Sequence, residues 1–172
     1  MKKTLLSLAI ASLATGQSVC AAVEKVYNEP DSVYIFSYAH PEDEGRSGLK
    51  FAWSPDGDKW LSVSDGFAYL KCDFGRWGSE KRMIKPLLEK AEDGRWYCRW
   101  QLTPSGKVWG TSHSSDLLKW APQQYVNAEK PAVPRLVTAR QIVLDKDTLN
   151  GYMQKVPYVD IEQLIRFAEQ IG

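Results

Sequence analysis

The chain has 172 residues, with 22 Lys and Arg against 21 Asp and Glu, for a net charge of +1. No run of like charge stands out, which argues against nucleic acid or an anionic membrane as the main partner. A hydrophobic content of 44% suits one folded domain with a core of its own.

The first residues read as an export signal. Lys2 and Lys3 form a positive start, Leu5 to Leu13 make a short apolar run, and Val19, Ala21 and Ala22 offer a cleavage site. The run is too short to span a bilayer. A signal over residues 1–22, cleaved near Ala21 or Ala22, implies a periplasmic or secreted protein. A lipoprotein anchor on Cys20 is the alternative, which Val19 directly ahead of it fits poorly. Losing Lys2 and Lys3 turns the net charge from +1 to −1. Cys72 and Cys98 then remain. The expectation is two separate buried thiols, with a disulfide the alternative that an oxidising compartment permits.

Val33 to Tyr38 is β-branched and aromatic and reads as a strand. His40 to Ser47 is polar, with Pro and Gly, and reads as a loop. Leu49 to Trp53 and Leu61 to Val63 follow as strands, and Phe67 to Phe74 is a mixed segment ending in the loop Gly75–Gly78. Met83 to Glu89 reads as a strand broken by Pro86, Asp93-Gly94 as a hairpin turn, and Trp96 to Trp100 and Val108 to Ser112 as further strands. Ala128 to Pro134 is a connector. Gln141–Leu144 and Tyr152–Val156 read as two more strands, separated by Asp145-Lys146-Asp147 and Asn150-Gly151. Ile161, Leu164, Ile165, Ala168 and Ile171 recur at helical spacing, which predicts an amphipathic helix from Ile161 to Gln170 with Asp160 as its cap.

Within this series one motif occurs twice. Ser54-Pro55-Asp56-Gly57-Asp58-Lys59-Trp60 returns as Ser114-Ser115-Asp116-Leu117-Leu118-Lys119-Trp120 at a constant offset, the mark of a repeated supersecondary unit. Ser and Asp side chains accept backbone N–H groups just ahead of them and fix a tight turn. The Trp then leaves the turn and buries a large ring. Asp56 and Asp116 are thereby explained as turn formers, and His113, which aligns with Trp53, as a packing position.

The two units resemble the first blades of a five-bladed β-propeller of the glycoside hydrolase family 43 type. The residues that carry the likeness are Tyr34–Tyr38 followed by Gly48–Trp60, and then Met83 through Asp93-Gly94, Trp100 and Ser114–Trp120. The resemblance implies a protein that acts on or binds arabinose- or xylose-containing polysaccharide at the propeller centre. The chain departs from the family at one charged position: Ile84-Lys85-Pro86 stands where members carry Arg-Asp-Pro, so Lys85 replaces an aspartate thought to tune the general acid. The inner strand of the second blade has Tyr97 where a His is common, and later blades are missing.

Glycoside hydrolysis needs two carboxyl groups facing the sugar. Glu42, Asp43, Glu44, Asp73, Glu80 and Glu89 are available, and no motif singles one out. His40 and His113 lack ligand-spaced partners, which argues against zinc. Asp56-Gly57-Asp58 and Asp145-Lys146-Asp147 fall short of a calcium ligand set. Catalytic residues are therefore left unassigned, and no metal or cofactor is expected. All seven tryptophans lie between Trp53 and Trp120. Trp53, Trp77, Trp96 and Tyr97, with Lys85 and Arg99 as polar neighbours, are the candidate sugar-binding residues, each with core packing as the competing explanation.

The expected architecture is all-β: two propeller-blade-like antiparallel sheets over 30–125, then a C-terminal hairpin and one amphipathic helix over 135–172. The expected function is an exported carbohydrate-active protein that binds a plant-type polysaccharide or oligosaccharide without full catalytic machinery. The alternatives are an active glycoside hydrolase on such glycans and a structural module that assembles with itself or a partner through an open blade edge.

Overall fold

The computed structural model describes residues 30–63, 67–127, 140–143 and 150–171. The expected signal, the connector Ala128–Pro134 and Asp145–Asp147 lie outside these residues. The strands are β1 (Ser32–Tyr38), β2 (Lys50–Ser54), β3 (Leu61–Val63), β4 (Ile84–Lys90), β5 (Trp96–Gln101), β6 (Val108–Ser114), β7 (Gln124–Asn127), β8 (Arg140–Val143) and β9 (Asn150–Pro157). Helix α1 spans Glu162–Ile171, and 3-10 turns cover Gly78–Glu80 and Tyr158–Asp160. The fold is all-β with one helix, in two antiparallel sheets ordered β3-β2-β1-β9-β8 and β4-β5-β6-β7.

The C-terminal hairpin is not a separate appendage. Strand β9 pairs antiparallel with the whole of β1, from Ser32↔Pro157 to Tyr38↔Gly151, and brings β8 with it. Asn150-Gly151, expected as a turn, begins this strand. The mixed segment Phe67–Phe74 contributes a bridge from Leu70 to Leu49 and no strand beside β1. That leaves one edge of β1 open, and β9 pairs with it because unpaired backbone groups in a core are costly. The motif makes β2 the equivalent of β6 and β1 the equivalent of β5, so β9 occupies in the first sheet the place that β4 holds in the second.

The two sheets also stack with equivalent faces pointing the same way. Along β1, Val33 and Ile35 enter the main core, whereas Phe36, Tyr38 and the half-buried Tyr34 pack with Ala52 and Met153 on the opposite face. Along β5 it is Trp96, Cys98 and Trp100 that enter the main core. The register pairs Tyr34 with Ser54 and Trp96 with Ser114, so Tyr34 and Trp96 are equivalent positions. One sheet thus presents one face to the shared core and the second sheet presents the other. Burying a large apolar side chain is worth about 1.5–3 kcal/mol, and both Trp96 and Trp100 are fully buried here. Gly110 is required opposite Trp100, since a Cβ there would lie 2.3 Å from the Trp100 ring.

The repeated turns are built alike. Ser54 Oγ accepts the N–H of Gly57 at 2.8 Å, and Ser114 Oγ that of Leu117 at 2.8 Å. Asp56 Oδ1 accepts from the N–H groups of Asp58 and Lys59, and Asp116 Oδ1 from those of Leu118 and Lys119. Trp60 packs on the outer face of the first sheet, and Trp120 packs against the core between the sheets.

Helix α1 places Leu164 and Ile165 in the main core, and Ile161, just ahead of it, joins them. Asp160, expected as its cap, makes an ion pair with Lys90 of β4 instead. Among the described residues no helix is long and apolar enough to cross a membrane.

Candidate functional site

Where β1 leaves its sheet and β4 enters the other, the chain encloses a cleft of about 220 Å³. Ala39, His40, Pro41, Glu44 and Gly45 line it from one side of the sequence, and Met83, Ile84, Lys85 and Pro104 from the other. The volume is below the roughly 300 Å³ at which sites for drug-sized ligands begin. It suits one small ring, with an apolar floor and a few polar groups.

The loop between β1 and β2 forms one wall and is internally fixed. Asp43 accepts the N–H of Gly45 at 2.9 Å through one carboxylate oxygen and that of Ser47 at 2.8 Å through the other. The N–H of Gly45 also reaches the His40 carbonyl at 2.8 Å. Gly45 has φ +76, and its Cβ, if it had one, would lie 2.1 Å from the Met83 carbonyl oxygen. Only glycine lets the loop lie this close to the β4 side, where the Met83 N–H donates to the Gly45 carbonyl.

Glu44, next in the loop, has φ +56. Its carboxylate is shared by Arg46 at 2.6 Å and Arg82 at 2.9 Å, and Arg82 Nε donates to the Ser79 carbonyl. Such exposed pairs add little stability. Their effect is positional: they couple this wall to the loop that carries Trp77.

The opposite wall is a bulge in an edge strand. The pairing of β4 with β5 shifts between Ile84 and Leu87, and Lys85 within the shift has φ +50. Pro86 follows, tolerated because β4 is an edge strand, and its carbonyl accepts Ser37 Oγ of β1 at 3.2 Å. Of the three non-glycine residues with positive φ among those described, Glu44 and Lys85 both border the cleft. Conformations of this kind cost about 1–3 kcal/mol each and tend to collect at functional positions.

The structure separates the candidate sugar-binding residues. Lys85 borders the cleft. Trp77, 69% exposed, stands on the loop linked to Glu44 through Arg82. Trp53 is half-buried against the main core. Trp96, 1% exposed, is a core residue whose ring has no face open to a sugar. Tyr97 and Arg99 share the face of β5 turned away from the main core. There Tyr97 donates to Asp93 at 2.9 Å and lies 5.5 Å from the His113 ring. Arg99 is buried in an ion pair with Glu89 at 2.8 Å, so both groups are engaged within the fold. Cys72 and Cys98 are free and buried, and burial pushes the Cys98 thiol well above its usual range.

His40 was legible in the sequence only as a histidine without ligand partners, and Glu44 as one of six unassigned carboxylates. The signal for both is positional: His40-Pro41 and Glu44-Gly45 belong to a loop that closes onto Met83, just ahead of Lys85-Pro86, through the Gly45 carbonyl. Comparison with protein-family models, with curated proteins and with solved structures gives no match for this chain.

Proposed function

We propose that this is an exported carbohydrate-binding protein that seats one sugar residue of a plant-type polysaccharide in the His40–Lys85 cleft without hydrolysing it. The observation that carries the reading is the position of Lys85. The family that the chain resembles places a catalysis-tuning aspartate here, and in this chain a lysine that lines the cleft holds the same position.

The apolar floor suits the C–H face of a sugar ring, and His40, Glu44 and Lys85 are placed to take its hydroxyls. Trp77 offers an exposed ring for a neighbouring sugar residue. The stacking of equivalent faces adds support for a blade-like ancestry. Against hydrolysis stands the count of carboxylates. Among the described residues Glu44 is the only one lining the cleft, two arginines hold it, and hydrolysis ordinarily needs a facing pair.

Affinity electrophoresis in gels containing arabinan or xylan tests this. Retarded migration that is lost in His40→Ala and Lys85→Ala supports the reading. Unchanged migration of the wild type in every glycan gel overturns it, and release of reducing sugar would restore the hydrolase alternative.

A further inference from the structure

We infer that the sugar seated in this cleft is an acidic one, a uronic acid residue whose carboxylate pairs with Lys85. The inference rests on the carbohydrate reading above and names the substrate class of the same site.

Among the residues that line the cleft, Glu44 and Lys85 carry opposite charges, and of these two it is Glu44 whose charge is already engaged. Its carboxylate has two guanidinium partners, Arg46 and Arg82. Lys85 adds a further positive charge, is exposed, and has no carboxylate partner among the described residues. Apolar walls concentrate the field of such a group. A carboxylate on the ligand would complete the balance through charge-assisted hydrogen bonds, which are shorter and stronger than those a neutral hydroxyl makes.

The backbone supplies an independent reason to look for a ligand here. Glycine is the natural occupant of a position with φ +50. Lysine holds it instead, directly before Pro86, which restricts the preceding residue further. The bulge turns this side chain out of the regular strand pattern. A lysine that only solvated the surface would gain nothing from the strain. One that delivers its ammonium group to a ligand in the cleft would.

Isothermal titration of the full chain compares galacturonic and glucuronic acids with galactose and glucose, with acetate and inorganic phosphate as ion controls. The expected result is at least tenfold tighter binding of a uronic acid than of its neutral counterpart. In Lys85→Gly that preference disappears while the melting temperature stays level or rises, because glycine accepts the backbone without strain. Equal binding of neutral and acidic sugars overturns this inference and leaves the carbohydrate reading standing. Equal binding of phosphate or acetate shows an ion site without sugar recognition and also overturns it. No sugar binding at all overturns both, and a preference that survives Lys85→Gly removes the role assigned to Lys85.

Discussion

Leu117 occupies, in the second turn, the backbone position that Gly57 occupies in the first: φ is +63 at the leucine and +88 at the glycine. Both N–H groups bond to the serine that opens the turn, at the same 2.8 Å. The left-handed conformation costs a non-glycine residue about 1–2 kcal/mol. Leu117 is fully buried in the main core, and that burial offsets the strain.

Leu117→Gly is therefore expected to destabilise the protein, although it relieves the backbone. Removing a buried leucine side chain costs about 2–5 kcal/mol against a gain of about 1–2, a net loss near 2 kcal/mol. Gly57→Ala is expected to lose about 1–2 kcal/mol by strain, with its Cβ 3.3 Å from the Tyr34 ring. Urea denaturation of the two variants measures both. A more stable Leu117→Gly would show that strain outweighs burial.

The same turns predict a dependence on pH. The N–H groups of Lys59 and Asp58, with the Ser54 hydroxyl, hold Asp56 down to about 2. At Asp116 partial burial works the other way, but the N–H groups of Lys119 and Leu118 outweigh it and its carboxyl is also lowered. A carboxylate more acidic in the folded chain gives stability that is complete above its unfolded value, 3.8, and is lost as pH falls toward the folded one. The urea midpoint should fall between about pH 4 and pH 2, and fall less in Asp56→Asn. An identical decline in that variant would remove Asp56 from the acid response.

Glu89 and Arg99 form an ion pair almost wholly out of solvent. Breaking such a pair from one side costs about 3–5 kcal/mol because a charge is left buried, whereas replacing both partners with apolar groups is often neutral. Arg99→Met should lose about that much, and Glu89→Leu combined with Arg99→Met should recover most of it. A double-mutant cycle in urea gives the coupling. Additive losses would show that the two charges are stabilised by other groups.

A chain ending at Asn127 should fail to fold. It lacks β9, the strand that pairs along all of β1, and the segment of Ile161 and α1, which supplies Ile161, Leu164 and Ile165 to the core. The expected result is loss of the near-ultraviolet circular dichroism of the buried tryptophans, and addition of a peptide spanning 150–171 should restore it. A cooperatively folded truncated chain would show that the two sheets are complete without β9.

The sequence by itself determined what short-range chemistry controls. Ser-x-Asp turns, the β-branched and aromatic run of β1, the aromatic alternation of β5, Asp93-Gly94 and the spacing of Ile161, Leu164 and Ile165 each settle their own geometry within a few residues, so all were legible. Tertiary structure alone decided which strands meet. Nothing near Tyr152–Val156 says that it will lie against Val33–Tyr38, because that choice depends on an open strand edge more than a hundred residues away. Strand β7 and the bulge at Lys85 went unread for the same reason: pairing with β6 and β5 makes them what they are. The tryptophans divide likewise. Trp96 and Trp77 look alike in sequence as aromatic neighbours of charged residues, and only packing sends one into the core and leaves the other in solvent. The cleft is the furthest case, since His40, Glu44 and Lys85 come to line one space only where a loop closes onto the β4 side from the other sheet.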